Sequence, residues 1–347
     1  MRQPGQRLAD LRAQRAANLT GARRLIELCE RQGGPAPLAE GLEEILDYAE
    51  RRTRAALAAA PDGAHEAVDV LEGAGGEDIE LRLRAEIDGD RLLLDFAGSA
   101  GQVDGNLNCP ISVTRSACFY AVRVLFDPEA PPSAGAWRPV RVRAPEGSLV
   151  NARPPAAVAA GNVETSSRVA DLAFEALAGF VEAPAQGQGT MNNFTLADLG
   201  PPAGERYTYY ETIGGGQGAC PGADGPDAVH VAMSNTLNTP VEALETDLPL
   251  RVRESSLRRG SGGAGRRRGG DGIVREIEAL APAVFTLLAE RRRHAPRGRD
   301  GGEPGAPGRD TLNGEPLAAK SSGRLAPGDR LRIETPGGGG YGKPAAD

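Results

Sequence analysis

From Tyr207 to Pro240 the chain reads YTYYETIGGGQGACPGADGPDAVHVAMSNTLNTP, a segment of aromatic, glycine, amide and histidine residues without the apolar period of a core element. His230 is the strongest candidate for chemistry in it. A neutral imidazole can relay a proton, or ligate a metal offered by another chain. Glu211 is the second proton-transfer candidate, and Asn235 and Asn238 are amides suited to bond a ligand or loop backbone, with Asp224 nearby. Thr212 to Gly218 is too rich in glycine to hold a helix or strand interior, and such a backbone can wrap closely around a ligand or another chain. A lone histidine with no spaced partner also fits a hydrogen-bonded structural role, and both readings stand.

A second group opens a helix near residue 166. Glu164 and Arg168 are four apart and face one side, so they can form a local ion pair worth a few tenths of a kcal/mol. Alternatively Asn162, Glu164 and Arg168 orient a substrate carboxylate or carbonyl, a task that suits the planar fork of arginine. Gly214, Gly215 and Gly216 are followed by no Gly-Lys-Ser/Thr, so they do not bind ATP as a phosphate loop. His65, His230 and His294 are far apart and make no metal-ligand motif. His65 follows a turn and is expected at the surface, and His294, among Arg291 to Arg293, faces solvent or an acidic neighbour. No Gly-x-Ser-x-Gly elbow supports a nucleophilic serine.

The elements that must position these residues read as α+β. Leu8, Leu11, Leu19, Leu25 and Ile26 form a stripe on a helix ending near Gly33-Gly34, and Leu42, Ile45, Leu46 and Leu57 form another between Leu38 and Ala60. Residues 1–63 are therefore expected as a helical hairpin, and 64–347 as a mixed, strand-rich region with inserted helices and glycine-rich loops, the two possibly continuous as one domain. From Ile79 the period becomes two, with a hairpin about Asp88-Gly89-Asp90. A helix is expected over 112–126, a strand over 139–143, and a helix over 166–180 with Thr165 and Ser166 as caps. Short strands are expected over 273–280, 284–288 and 330–333, and ordered loops over 297–308.

Forty basic and 47 acidic residues give a formal charge of −7, which does not attract nucleic acid, and the Arg266 to Arg268 run lacks aromatic platforms. Four cysteines with no Cys-x-x-Cys pair indicate reduced thiols. With no run of eighteen apolar residues and no leader-like start, the sequence predicts a soluble cytoplasmic protein without membrane contact.

Several short segments, in order, resemble the hydantoinase B/oxoprolinase family: Asp104-Gly-Asn106-Leu-Asn108, Gly161-Asn-Val-Glu164-Thr-Ser-Ser-Arg168, Gln188-Gly-Thr-Met-Asn192-Asn193, Tyr210-Glu-Thr-Ile-Gly-Gly-Gly216, His230 with Asn235-Thr-Leu-Asn238-Thr-Pro240, Ser261-Gly-Gly-Ala-Gly265, Arg268-Gly-Gly-Asp271-Gly and Thr335-Pro-Gly-Gly-Gly-Gly-Tyr341-Gly. The resemblance implies an ATP-dependent system that opens cyclic amides such as hydantoins and 5-oxoproline, with ketone carboxylase α-type subunits among its relatives. An A-type ATP-binding subunit phosphorylates the substrate, and the B-type subunit completes ring opening at a divalent metal. Asn192, Asn193 and Gly214 to Gly216 join Asn162, Glu164, Arg168, Asn235 and Asn238 as the implied substrate-binding set, with His230 and Glu211 catalytic. The metal-holding N-terminal region of such proteins matches nothing in residues 1–32. The expectation is therefore a partial B-type subunit that binds no metal or ATP itself, is inactive alone, and works with an A-type subunit, either with or without a separate chain carrying the other half. A ketone carboxylase α-type subunit and a non-catalytic truncated or assembly subunit are the alternatives.

Overall fold

A computed structural model describes residues 4–199 and 207–344. Helices α1 (Pro4–Arg31) and α2 (Pro35–Ala58) form the expected hairpin. Gly33 and Gly34 turn it with φ of 86° and 121°, values that side chains avoid, and Pro35 opens α2 where its missing N–H has no helical partner. No described residue of α1 is buried, and Leu11 and Ile26 are about three-fifths exposed, at 61% and 60%. Helix α2 buries Ala49, Thr53 and Leu57. Its backbone lies so close to a short 3-10 turn, Ala134–Trp137, that a Cβ on Gly135 would stand 1.9 Å from the Leu46 carbonyl. Arg138 secures the contact by pairing with Glu43, Asp47 and Glu50.

The first sheet has the order β1 (Gly63–Glu72), β2 (Asp78–Asp88), β3 (Arg91–Asp95), β4 (Val140–Arg143). The first three strands pair antiparallel, and β3 pairs with β4 in parallel. Alternation puts Ile79, Leu81, Leu83, Ala85 and Ile87 on the buried face. That face packs with α3 (Ile111–Phe126) and α4 (Ser166–Leu177) into one core. Strand β1 escaped the sequence reading because Asp69 and Glu72 interrupt its apolar alternation. Both are buried for a polar reason given below.

Two further sheets follow. One has β5 (Asn193–Asp198), β6 (Thr208–Glu211), β9 (Ala283–Leu288) and β12 (Lys320–Leu325) in the order β12-β9-β5-β6. The other has β7 (Leu250–Arg258), β8 (Gly272–Ala279), β10 (Arg309–Leu312), β11 (Glu315–Leu317) and β13 (Arg330–Glu334) in the order β11-β10-β13-β8-β7. They share a second core that includes Phe194, Ile213, Ile277, Phe285 and Leu331, beside the short helix α5 (Val241–Asp247). Strands β8, β9 and β13 fall where periodicity put them. Strand β7 does not show in the sequence, because few of its side chains are buried on either face.

The glycine-rich segments pack on one another as extended backbone. Gly338 N–H donates to the Gly270 carbonyl at 2.9 Å, Gly263 N–H to the Gly338 carbonyl at 2.8 Å, and Gly216 N–H to the Pro336 carbonyl at 2.9 Å. The expected ordering of residues 297–308 is part of this bundle: Arg299 N–H donates to the Gly340 carbonyl and Glu303 N–H to that of Ala264. Among the described residues no helix is long and apolar enough to cross a membrane.

Candidate functional site

Helix α4 is entered through a π-helical turn, Gly161–Thr165, a wide turn often found at functional positions. The turn is locked to the loop 104–110, since a Cβ on Gly161 would stand 2.0 Å from the Asn108 carbonyl. Thr165 does not cap the helix with its side chain. Its hydroxyl donates instead to the Leu107 carbonyl.

This geometry drives Glu164 inward. One of its carboxyl oxygens accepts hydrogen bonds from Met191 N–H at 3.0 Å and from the Asn193 amide at 2.7 Å, while the other is buried with no partner. Burial, reinforced by the nearby Glu290, pushes this carboxyl up to about 7. Asn193 connects it to the surface: the amide also donates to the Leu288 carbonyl, and its oxygen accepts the hydroxyl of exposed Tyr210 at 2.6 Å.

Arg168 does not form the local pair with Glu164. It lies 3.4 Å from Asp69, 3.4 Å from Asp171 and 3.7 Å from Glu290, all buried. Arg291 approaches the same two aspartates at 3.1 and 2.7 Å, and Lys320 lies 2.6 Å from Glu290. Burial pushes the Asp171 carboxyl up to about 7 against the pull of Arg168. Glu72 accepts the backbone N–H groups of Arg292, Arg293 and His294. Charged residues of β1, α4 and the segment after β9 thus meet in a dry centre that joins the two halves of the molecule. Asn192, with φ of 44°, is bonded to Gln188 and the Ile213 carbonyl through its amide, and its oxygen accepts from Arg292. Asn162 is exposed.

His230 lies in a loop flanked by Ala228 and Ala232, whose φ values of 55° and 50° are strained for residues with a Cβ. Its Nδ1 is 3.1 Å from the Ser234 hydroxyl and its Nε2 is 3.0 Å from that of Thr236, which is 2.7 Å from the Thr212 hydroxyl. Because Ser234 donates to the Val231 carbonyl, its oxygen is open to a proton from Nδ1. That tautomer leaves Nε2 as the acceptor at the end of the threonine chain. Burial lowers the His230 pKa from its ordinary value, so the ring is neutral near pH 7. Glu211 does not touch it. Its carboxylate accepts from Asn238 at 2.9 Å and pairs with Arg275 at 3.2 Å, and Asn238 also donates to the Thr212 carbonyl. Asn235 is exposed. Behind the loop lies a cavity of about 70 Å3, lined by Asp171, Gln186, Gln217 and Val231 among others.

Gly214, Gly215 and Gly216 approach this protein's own backbone. A Cβ on Gly216 would meet the Gly270 carbonyl at 2.0 Å and Gly338 N at 2.3 Å, and one on Gly214 would meet Val229 at 3.0 Å. The space a phosphate would need is filled. Asp224 accepts from Arg268 N–H, whose side chain pairs with Asp227 and Asp271. His65 is exposed and stacks edge-on against Phe180, and His294 bonds Asp78. Among the described residues no three His, Cys, Asp or Glu side chains group as metal ligands.

Residues 1–344 match the family described as hydantoinase B/oxoprolinase. The chain belongs to that family. It is 37% identical over 353 residues to 5-oxoprolinase 1 of Arabidopsis thaliana, an alignment that takes 96% of this chain but only 27% of the relative. The fold superposes with a TM-score of 0.83 on an ATP-dependent caprolactamase from Pseudomonas jessenii, at 27% identity, over 96% of this chain and 61% of that one. A nucleotide-free acetone carboxylase shares the fold, with a TM-score of 0.75 at 16% identity, over 93% of this chain and 51% of that one. This hydantoinase B-like chain therefore spans only part of the relatives it matches.

Sequence reasoning missed Thr212 and Thr236, although both lie inside segments it had singled out. It also missed Asp69, Glu290, Arg291 and Lys320, whose meeting depends on pairing across the chain.

Glu164 yields a pH signature. Its folded pKa is raised above the carboxylate value, so between about 4.5 and 7 the folded state holds a proton that the unfolded state has released. The stability it contributes is present below that window and is lost as pH rises through it. Glu164→Gln is expected to flatten this part of the melting temperature against pH. An identical slope in the variant would show that Glu164 does not hold the proton.

Proposed function

We propose that this chain forms the B-type part of an ATP-dependent enzyme that hydrolyses cyclic amides, and that His230 is its proton-transfer group. The observation that carries the reading is the half-buried imidazole, whose Nε2 meets the Thr212 and Thr236 hydroxyl chain in a strained loop. Such a base takes a proton from water as its oxygen bonds to the ring carbonyl carbon. The carbon–nitrogen bond then breaks and the departing nitrogen takes the proton back, leaving an acyl phosphate from which a second water releases inorganic phosphate. Asn238, fixed by Glu211, and the Asn193–Tyr210 pair offer amide and phenol groups beside this region to hold the substrate.

ATP activation belongs to an A-type partner in this reading, because Gly214 to Gly216 are occupied by protein backbone. The 27% coverage of the 5-oxoprolinase leaves ample polypeptide in that relative for such a component. The buried carboxylates here are taken up by Arg168, Arg291 and Lys320, so the described residues do not fit a divalent cation. Ligands for one would come from residues beyond these.

The chain alone, given ATP and hydantoin, 5-oxoproline or caprolactam, is expected to give no product, and addition of an A-type component and the rest of the B-type subunit to give turnover. Product formed by the chain alone would overturn this assignment.

A further inference from the structure

Strand β4 is the edge of the first sheet, and an open groove of about 930 Å3 runs along it. Leu92 N–H and Phe96 N–H donate to the carbonyls of Pro139 and Arg143, so the odd-numbered residues of β4 pair with β3. By the alternation of a ladder, the N–H and C=O groups of Val140 and Val142 point the other way, into the groove. An unpaired edge of this kind is a template for a further strand.

The walls specify what that strand would carry. On the helix side the groove is lined by Ile111, Arg115 and Phe119 of α3, two apolar side chains either side of an exposed arginine. On the solvent face stand Arg141 and Arg143, both exposed, for which no carboxylate partner is found among the described residues. Proteins usually blunt an edge with charge. Here the charge is mainly positive, Asp95 of β3 beside Arg143 being the one carboxylate in the lining, and it borders a groove large enough for a peptide.

We propose that β4 is completed by a fifth strand that alternates apolar residues, facing α3, with acidic residues, facing Arg141 and Arg143. We assign it to the portion of the B-type subunit that this chain does not include, so the inference rests on the proposed function. This fold accounts for only 61% of the caprolactamase chain, so that chain carries further polypeptide that could supply such a strand. Backbone pairing would supply affinity and the arginine row register, as in other strand additions.

The test is binding, not turnover, so its failure is distinct from a failure of the enzymatic reading. A fluorescent ten-residue peptide of alternating valine and glutamate is titrated by anisotropy against the intact chain, beside a valine–lysine peptide and the valine–glutamate peptide N-methylated throughout. The valine–glutamate peptide is expected to bind at least about 10-fold more tightly than either control. Its affinity should fall by about 10-fold or more in the Arg141→Glu/Arg143→Glu variant, and more weakly in high salt. Val142→Pro removes an outward N–H while sparing the bonds to β3, and should abolish binding. Equal binding of the N-methylated peptide, or a folded Val142→Pro variant that binds normally, would overturn the strand. Binding of ATP with the same arginine dependence and none of the peptide would make the groove a small-anion site instead.

Discussion

Replacing Arg168 with methionine is expected to lower the melting temperature by roughly 4 to 7 °C near pH 7.5. The guanidinium lies among Asp69, Asp171 and Glu290 in a region without solvent access. Methionine fills much of the volume but leaves three carboxyl groups facing Arg291, Lys320 and the exposed Arg297 at 3.6 Å from Asp69. Breaking such a buried arrangement by removing one member costs about 3 to 5 kcal/mol, because uncompensated charge stays in a poorly polarisable interior. That is a large part of the 5 to 15 kcal/mol typical of a folded domain. The loss should be smaller at lower pH. Burial already raises the Asp171 and Glu290 carboxyls, and each proton they take up removes charge that Arg168 no longer balances. Arg23→Met on exposed α1, where the arginine pairs loosely with Glu27 at 3.9 Å, is the control and should melt like the native chain. An R168M protein with unchanged stability across pH would mean the charged centre does not hold the halves together.

Where burial follows a simple period, the sequence was legible. The alternation of Ile79 to Ile87 and the apolar runs of β8 and β9 each report one face of one element, which is local information, whereas the stripe of α1 marked a helix none of whose described residues is buried. Strand β1 failed this test because Asp69 and Glu72 sit where apolar residues would. Their partners come from residues 99 to 222 positions away, through Arg168 of α4 and the segment after β9. Glu164 and Arg168 show the same limit. Four-residue spacing predicts a surface pair, but the π-helical turn and burial send the two side chains to separate partners.

The glycine-rich segments were legible as places of close approach. What they approach was not, since it required Gly216, Gly270 and Gly338 to be seen together. His230 was found through its neighbours in the chain. Its hydroxyl partners Thr212 and Thr236 are ordinary in composition and gain meaning only from the fold that sets them 2.7 Å apart.

In a reconstituted enzyme, His230→Gln is expected to reduce turnover by about 100-fold or more, the usual contribution of a positioned acid–base group, with little change in melting temperature. Glutamine keeps polar atoms near Ser234 and Thr236, so the loop between the strained Ala228 and Ala232 loses little of its bonding. What it loses is a lone pair that can accept a proton near neutrality. The native enzyme should show an acid limb in kcat with an apparent pKa below that of an ordinary histidine, because burial disfavours the imidazolium. The variant should lack that limb. Thr236→Val should show an intermediate loss and retain the limb, since it removes a hydroxyl from the chain while leaving the imidazole to titrate. Unchanged turnover in His230→Gln would reduce the residue to a structural hydrogen-bonding group. A fall in activity matched by an equal loss of stability, with the acid limb still present, would assign proton transfer to another residue.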